Sequence, residues 1–169
     1  MSIAAMMLPE FDQEMANTRK ALERIPEAKF DYTPHAKSFT MIGLATHIKN
    51  MIGWLVDTLK SDSFDIQPVG APPYKEEPAK SVAELLESFD KNVKAARSAL
   101  EATSDEAFGA QWSLLSGGNV MFAMPRGAVV RGMILNHVIH HRGQLTVYLR
   151  LNDVPVPAIY GPSADENNF

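Results

Sequence analysis

The chain has 169 residues, 46% of them apolar and 21% charged, a composition suited to one globular domain with a sizeable core. A net charge of −4 and a pI near 5.7 argue against the broad basic surface that nucleic-acid binding uses. The absence of cysteine excludes disulfides, thiolate metal sites and a cysteine nucleophile.

The N-terminal MSIAAMMLPEFDQEM has no basic n-region and is acidic by Glu10, so it is not read as a signal peptide. No apolar run approaches the roughly 18 residues of a membrane span. The expectation is therefore a cytoplasmic protein with no membrane or nucleic-acid partner. A first helix is predicted from residue 3 or 9 to 24, with Leu8, Phe11, Met15 and Leu22 as its apolar stripe and Pro26 beyond its end. A second runs over residues 38–60, with Ser38 as N-cap. A third begins after Ser81, where Glu84 three residues on completes a capping box, and buries Leu85, Leu86, Phe89, Val93, Ala96 and Leu100.

Residues 111–124 read as a small β-hairpin, in which Trp112, Leu114, Val120 and Phe122 flank the turn Ser116-Gly117-Gly118-Asn119. A fourth helix follows over residues 126–151, with Pro125 ahead of it and Asn152-Asp153 closing it. The connectors 25–37 and 61–80 are too rich in proline for helix, and the latter contains Gln67-Pro68-Val69-Gly70-Ala71-Pro72-Pro73. The tail from Val154 has three prolines and is expected to wrap the surface. Together these predict an all-α protein, residues 1–169 as one four-helix-bundle domain with long crossovers and a small hairpin before the last helix.

The chain has five histidines, and three of them fall in NHVIHHRGQL, residues 136–145. At ~100° per residue, His137 and His141 lie within about 40° of each other on the fourth helix. Val130, Met133, Ile134, Gln144 and Tyr148 share their face, and Arg131, Arg142 and Arg150 fall away from it. On the second helix His47 shares a face with Thr40, Gly43, Leu44, Met51, Trp54 and Thr58, opposite Lys49 and Lys60. An i, i+4 pair presents two imidazoles to one cation, and a third from another helix completes a facial set that leaves positions for water or substrate. With no carboxylate recognisable beside them, three neutral ligands would leave the ion its full charge. Two readings stay open: a metal site at His47, His137 and His141, or inward histidines that serve only as polar packing.

Other candidates carry bland readings beside functional ones. Gln144 and Asn50 either touch a ligand or support the histidines. His140 is off the His137–His141 axis, and His35 reads as surface. Trp54 and Tyr148 are core or platform residues. The SGGN turn lacks the strand-to-helix context of a phosphate loop. Arg126, Arg131 and Arg142 either bind an anion or sit on a solvated or dimer-contact face. Leu135 and Ile139, opposite the histidines, offer an apolar strip to another chain.

At these residues the chain resembles the DinB family, related to the YfiT-type metalloenzymes. The resemblance rests on GLATHIKNMIGW around His47 and on MPRGAVVRGMILNHVIHHRGQLTVYLRLNDVPVPAIYGPSADE, and it covers nearly the whole chain. The family pattern, a helix-two histidine followed by a histidine pair whose second member precedes Arg-Gly-Gln, is met at His47, His137 and His141. It implies a four-helix bundle of the DinB/YfiT type, commonly dimeric, holding a divalent metal such as nickel or zinc. Some relatives are bacillithiol transferases or mycothiol-dependent isomerases, which implies a low-molecular-weight thiol cosubstrate, although no thiol-binding pattern of those branches is found here. The expected function is thus a metal-dependent enzyme activating water or a thiol, as a hydrolase or thiol S-transferase. The alternative is a non-catalytic stress-response protein in which the metal is structural.

Overall fold

Four long helical rods converge on one apolar core in the computed structural model, which describes residues 1–72 and 74–167. Pro73 of the proline-rich connector and the last two residues of the tail lie outside the described residues. Helix α1 (Ile3–Glu23) is capped by the Ser2 side chain, which accepts from the Ala5 N–H, and buries Phe11, Met15 and Leu22 as its spacing demands. Helix α2 (Met41–Lys60) starts later than predicted, because the Thr40 hydroxyl, not Ser38, accepts the Gly43 N–H.

After α2 comes the short strand β1 (Ser63–Asp65) and then helix α3 (Val82–Ala102). The predicted capping residue is in place: Ser81 Oγ accepts from the Glu84 N–H at 3.1 Å. Leu85, Phe89, Ala96 and Leu100 are buried against α1 and α2. One further turn, α4 (Asp105–Gly109), leads into β2 (Gln111–Ser116) and β3 (Asn119–Pro125), the predicted hairpin. Gly117 and Gly118 take φ of 59° and 77°, the left-handed pair that a two-residue hairpin turn requires. Asp65 clamps that turn, accepting from the Gly117 N–H at 3.0 Å and the Gly118 N–H at 2.7 Å.

The protein is mostly helical but not all-α. β1 pairs in parallel with β2, making a three-stranded sheet of order β1-β2-β3 where only a hairpin was expected. The last rod begins with α5 (Arg126–Ala128), passes through a π-helical stretch at Val129–Leu135 and continues as α6 (Asn136–Arg150). No helix among the described residues is long and apolar enough to cross a membrane.

The last rod corrects three readings. Arg142 is buried, pairing with Glu14 Oε2 at 2.6 Å and donating to the Glu14 carbonyl and to Tyr160 OH. Leu135 is also buried, in the core. The packing accounts for both: α6 lies against α1 as well as α2, and the π-helical stretch that carries Leu135 packs against α2, so the buried arc of the rod is wider than the histidine face. Val138, Leu145 and Leu149 fill the middle of that arc, and Leu135 is therefore no strip for another chain. Arg126 is buried too, donating to the carbonyls of Thr58, Ser61 and Ala107 and to Asp62 Oδ1. It satisfies the free carbonyls at the end of α2, so its charge serves the fold and not an anion.

Candidate metal centre

His47 comes from the middle of α2, and His137 and His141 from consecutive turns of α6, where these two helices pack together. The i, i+4 spacing brings Nε2 of His137 and Nε2 of His141 to 2.8 Å. The ring of His47 lies 5.3 Å from that of His137 and 4.9 Å from that of His141, centroid to centroid. One nitrogen from each of the three rings falls within 4.8 Å of the others. The three histidines singled out in the sequence are thus brought together; His140 and His35 are exposed and stand outside the group.

Each imidazole has an acceptor on its outer side. His141 Nδ1–H donates to Gln144 Oε1 at 2.6 Å, and the Gln144 amide N–H in turn donates to His140 Nε2 at 3.1 Å. Gln144 therefore supports His141 from behind. His137 hydrogen-bonds the Met133 carbonyl. His47 Nδ1–H faces the carboxylate of Glu76, at 3.0 and 3.2 Å from its two oxygens. Such outer contacts fix the tautomer and leave the inner nitrogen with its lone pair free, the usual support of a metal-binding histidine.

Glu76 is the participant that sequence reasoning missed, and it overturns the expectation of a site without a carboxylate. It lies in the irregular connector between β1 and α3, 29 residues from His47. Its only local signal is the acidic pair Glu76-Glu77 ahead of Pro78 in the proline-rich run. Burial raises the Glu76 carboxyl, but the hydrogen bond and charge of His47, with Asn50 and Lys49, outweigh it and hold the group below its ordinary value. Asn50 thus acts on the carboxylate behind His47.

Burial depresses the two α6 imidazoles. His141 is pushed down to about 4, with the Gln144 hydrogen bond opposing and the other histidines adding to the shift. His137 is lowered by burial first and by the charge of His47 second. Both rings are therefore neutral at physiological pH. Two unprotonated Nε2 atoms facing each other at 2.8 Å repel unless a proton or a cation sits between them. With metal–nitrogen bonds of about 2.0–2.1 Å, nitrogens on one ion stand about 3.0–3.4 Å apart, so the donor set fits a divalent ion after small adjustments.

The site is not closed. A cavity of about 410 Å³ adjoins it, with His47, His137 and Glu76 on its wall. Trp54 lines that cavity and sits edge-on to His47 at 5.4 Å, donating its indole N–H to Tyr74 OH at 3.1 Å. Tyr148 does not line it; the Tyr148 hydroxyl donates to the Phe39 carbonyl, and the ring is core.

Comparison with known proteins agrees with this architecture. The DinB family model matches residues 1–168. A DinB-like protein of Bacillus subtilis, YjoA, superposes with a TM-score of 0.70 at 17% identity, over 97% of this chain and 99% of that one. A DinB-like protein of Bacillus cereus gives 0.70 at 21% identity, over 91% and 95% of the two chains. The uncharacterized protein YrdA of Bacillus subtilis is 44% identical over 43 residues, a quarter of each chain. These likenesses establish the fold, and the match of the family model to nearly every residue places this chain in the DinB family.

Proposed function

We propose that the protein is a divalent-metal-dependent enzyme, with His47, His137 and His141 as the ligands, held between α2 and α6 of a single-domain four-helix bundle. The observation that carries this reading is the convergence of three imidazole nitrogens beside a cavity, with no fourth side chain of the metal-binding kind in the group among the described residues. A closed, four-ligand shell would suit a structural ion, whereas a three-ligand set beside a cavity suits a catalytic one. A bound nickel or zinc ion would supply Lewis acidity, making a coordinated water or low-molecular-weight thiol a stronger acid and hence a nucleophile at neutral pH.

The residues divide the work. Gln144 and the Met133 carbonyl hold the α6 imidazoles in the tautomer that exposes Nε2. Glu76 holds the Nδ1 proton of His47, raising the basicity of the opposite nitrogen. The cavity wall excludes water from one side of the site and receives the second reactant. The reaction is hydrolysis or thiol transfer, in a cytoplasmic homodimer; the exposed Val147 and Leu151, one turn apart, support a contact between copies.

Elemental analysis of protein purified without an affinity tag tests the ligand set. About one equivalent of metal is expected in the wild type, and none in His47→Ala or His137→Ala. Full metal in both variants would refute the assignment. Absence of metal-dependent turnover across a panel of esters, and of thiols paired with electrophiles, would move the ion to a structural role.

A further inference from the structure

The cavity beside the three histidines follows the seam between α2 and the last rod. These two elements run antiparallel: His47 meets His137 and His141 at one level, and the Thr58 carbonyl meets Arg126 at another. The cavity wall takes His47 and His137 at the first level and Thr58 and Val129 at the second. From His47 to Thr58 the helix rises about 16 Å. A round space of about 410 Å³ would be only about 9 Å wide, so this chamber is long and narrow.

The sheet supplies a further wall. Phe64 of β1 pairs with Leu114 of β2, and Leu114 with Phe122 of β3, so the three form one row across a single face. Trp112, two residues before Leu114, shares that face, and all four line the chamber. Trp112 belongs to the end away from the histidines, since its neighbour Gln111 pairs with Pro125, next to Arg126. That end is closed: Thr58, Trp112 and Val129 are buried, while the exposed wall residues are Asp57, Tyr74 and Met133. Among the described residues no Lys or Arg lines the chamber. Of its two carboxylates, Glu76 is engaged by His47 and Asp57 is exposed at the rim. An anion would lose its hydration there with no cationic side chain in return.

We infer that the chamber takes a linear hydrocarbon tail, laid along the seam with its inner end against Thr58, Trp112 and Val129, and joined to an uncharged polar head at the imidazoles. The substrate class is thus a neutral compound with an alkyl or acyl chain. Val129 is then a specificity-determining residue, because it sets the longest tail that the closed end accepts. The inference rests on the proposed function only in taking this ligand as the substrate; binding of the tail requires no metal.

The test titrates chelator-treated full-length protein calorimetrically at pH 8 with hexan-1-ol, octan-1-ol and decan-1-ol, and with cyclooctanol and octanoate for comparison. Affinity is expected to rise about fourfold with each added methylene, the effect of burying one more CH₂ group. Cyclooctanol and octanoate should both bind more weakly than octan-1-ol. Val129→Phe, which blocks the closed end, should leave hexan-1-ol bound as in the wild type and weaken decan-1-ol about tenfold or more. Leu114→Trp, which narrows the chamber from the sheet side, should weaken every linear alcohol while the circular dichroism spectrum is kept, and it decides the question if Val129→Phe does not fold. Affinity independent of chain length, cyclooctanol or octanoate binding as tightly as octan-1-ol, or decan-1-ol binding unaffected by the substitutions would overturn the inference, as would no binding at all. Because the protein is metal-free throughout, failure here leaves the ligand assignment standing, and a failed elemental analysis leaves this result standing.

Discussion

Glu76 engages His47, its two carboxylate oxygens 3.0 and 3.2 Å from Nδ1. Removing it leaves all three proposed ligands in place but frees the His47 ring to turn. Glu76→Ala is expected to weaken metal affinity about 10–100-fold, the usual effect of losing a contact behind a ligand. A titration in metal buffer measures this. Affinity equal to that of the wild type would show that Glu76 plays no part in the centre.

The depressed imidazoles of α6 make the metal-free protein sensitive to mild acid. His141 titrates at about 4 in the folded chain, from an ordinary value of 6.5, and His137 is lowered in the same direction. Between those limits the unfolded chain holds protons that the folded chain does not, so stability rises with pH across the window and falls as pH drops from 6.5 toward 4. Urea midpoints of chelator-treated protein at pH 7 and pH 5 should show the loss, and His141→Gln should reduce it. An unchanged midpoint in the wild type would contradict the burial argument.

The pair Arg142–Glu14 is buried at both ends, the side chains being 3% and 7% exposed. Removing one partner strands the other charge, so Glu14→Ala should cost about 3–5 kcal/mol in denaturant unfolding. The double replacement Glu14→Met with Arg142→Met should recover most of that loss. Tyr160 OH bridges the two, accepting from Arg142 and donating to Glu14, so Tyr160→Phe should cost only about 1 kcal/mol.

Arg126 ties the end of α2 to the start of the last rod through four oxygens. Arg126→Ala leaves buried carbonyls of α2 without donors and is expected to destabilise the fold by about 2–4 kcal/mol. Arg126→Lys, with a single ammonium, should recover only part of this, because one point charge cannot span acceptors spread over three segments. Equal stability of all three proteins would remove Arg126 from this role.

Much of the architecture was legible in the sequence because local chemistry marks it. Ser81 with Glu84, Pro125 ahead of Arg126, and the paired glycines 117 and 118 each specify a boundary through a bond or a backbone angle. The three histidines were legible for the same reason, since helix geometry alone sets their faces. What was hidden depends on distant parts of the chain. β1 is three residues long and exists through its parallel pairing with β2, some 50 residues later. Glu76 sits in a connector without periodicity, where no face can be projected. Arg142 follows His141 directly, about 100° around the helix, and reads as solvent-facing until α1 is seen to cover that side. The π-helical turns before Asn136 leave no signature in the pattern of apolar residues.

The chain has only two tryptophans, Trp54 and Trp112, and both border the chamber next to the histidines. Its tryptophan emission therefore originates entirely at that place. A paramagnetic ion at the imidazoles would quench Trp54 at short range, and a guest in the chamber would shift the colour of both indoles. The molecule is in effect a label-free optical sensor of its own centre, able to report metal uptake and ligand entry on one cuvette of untreated sample.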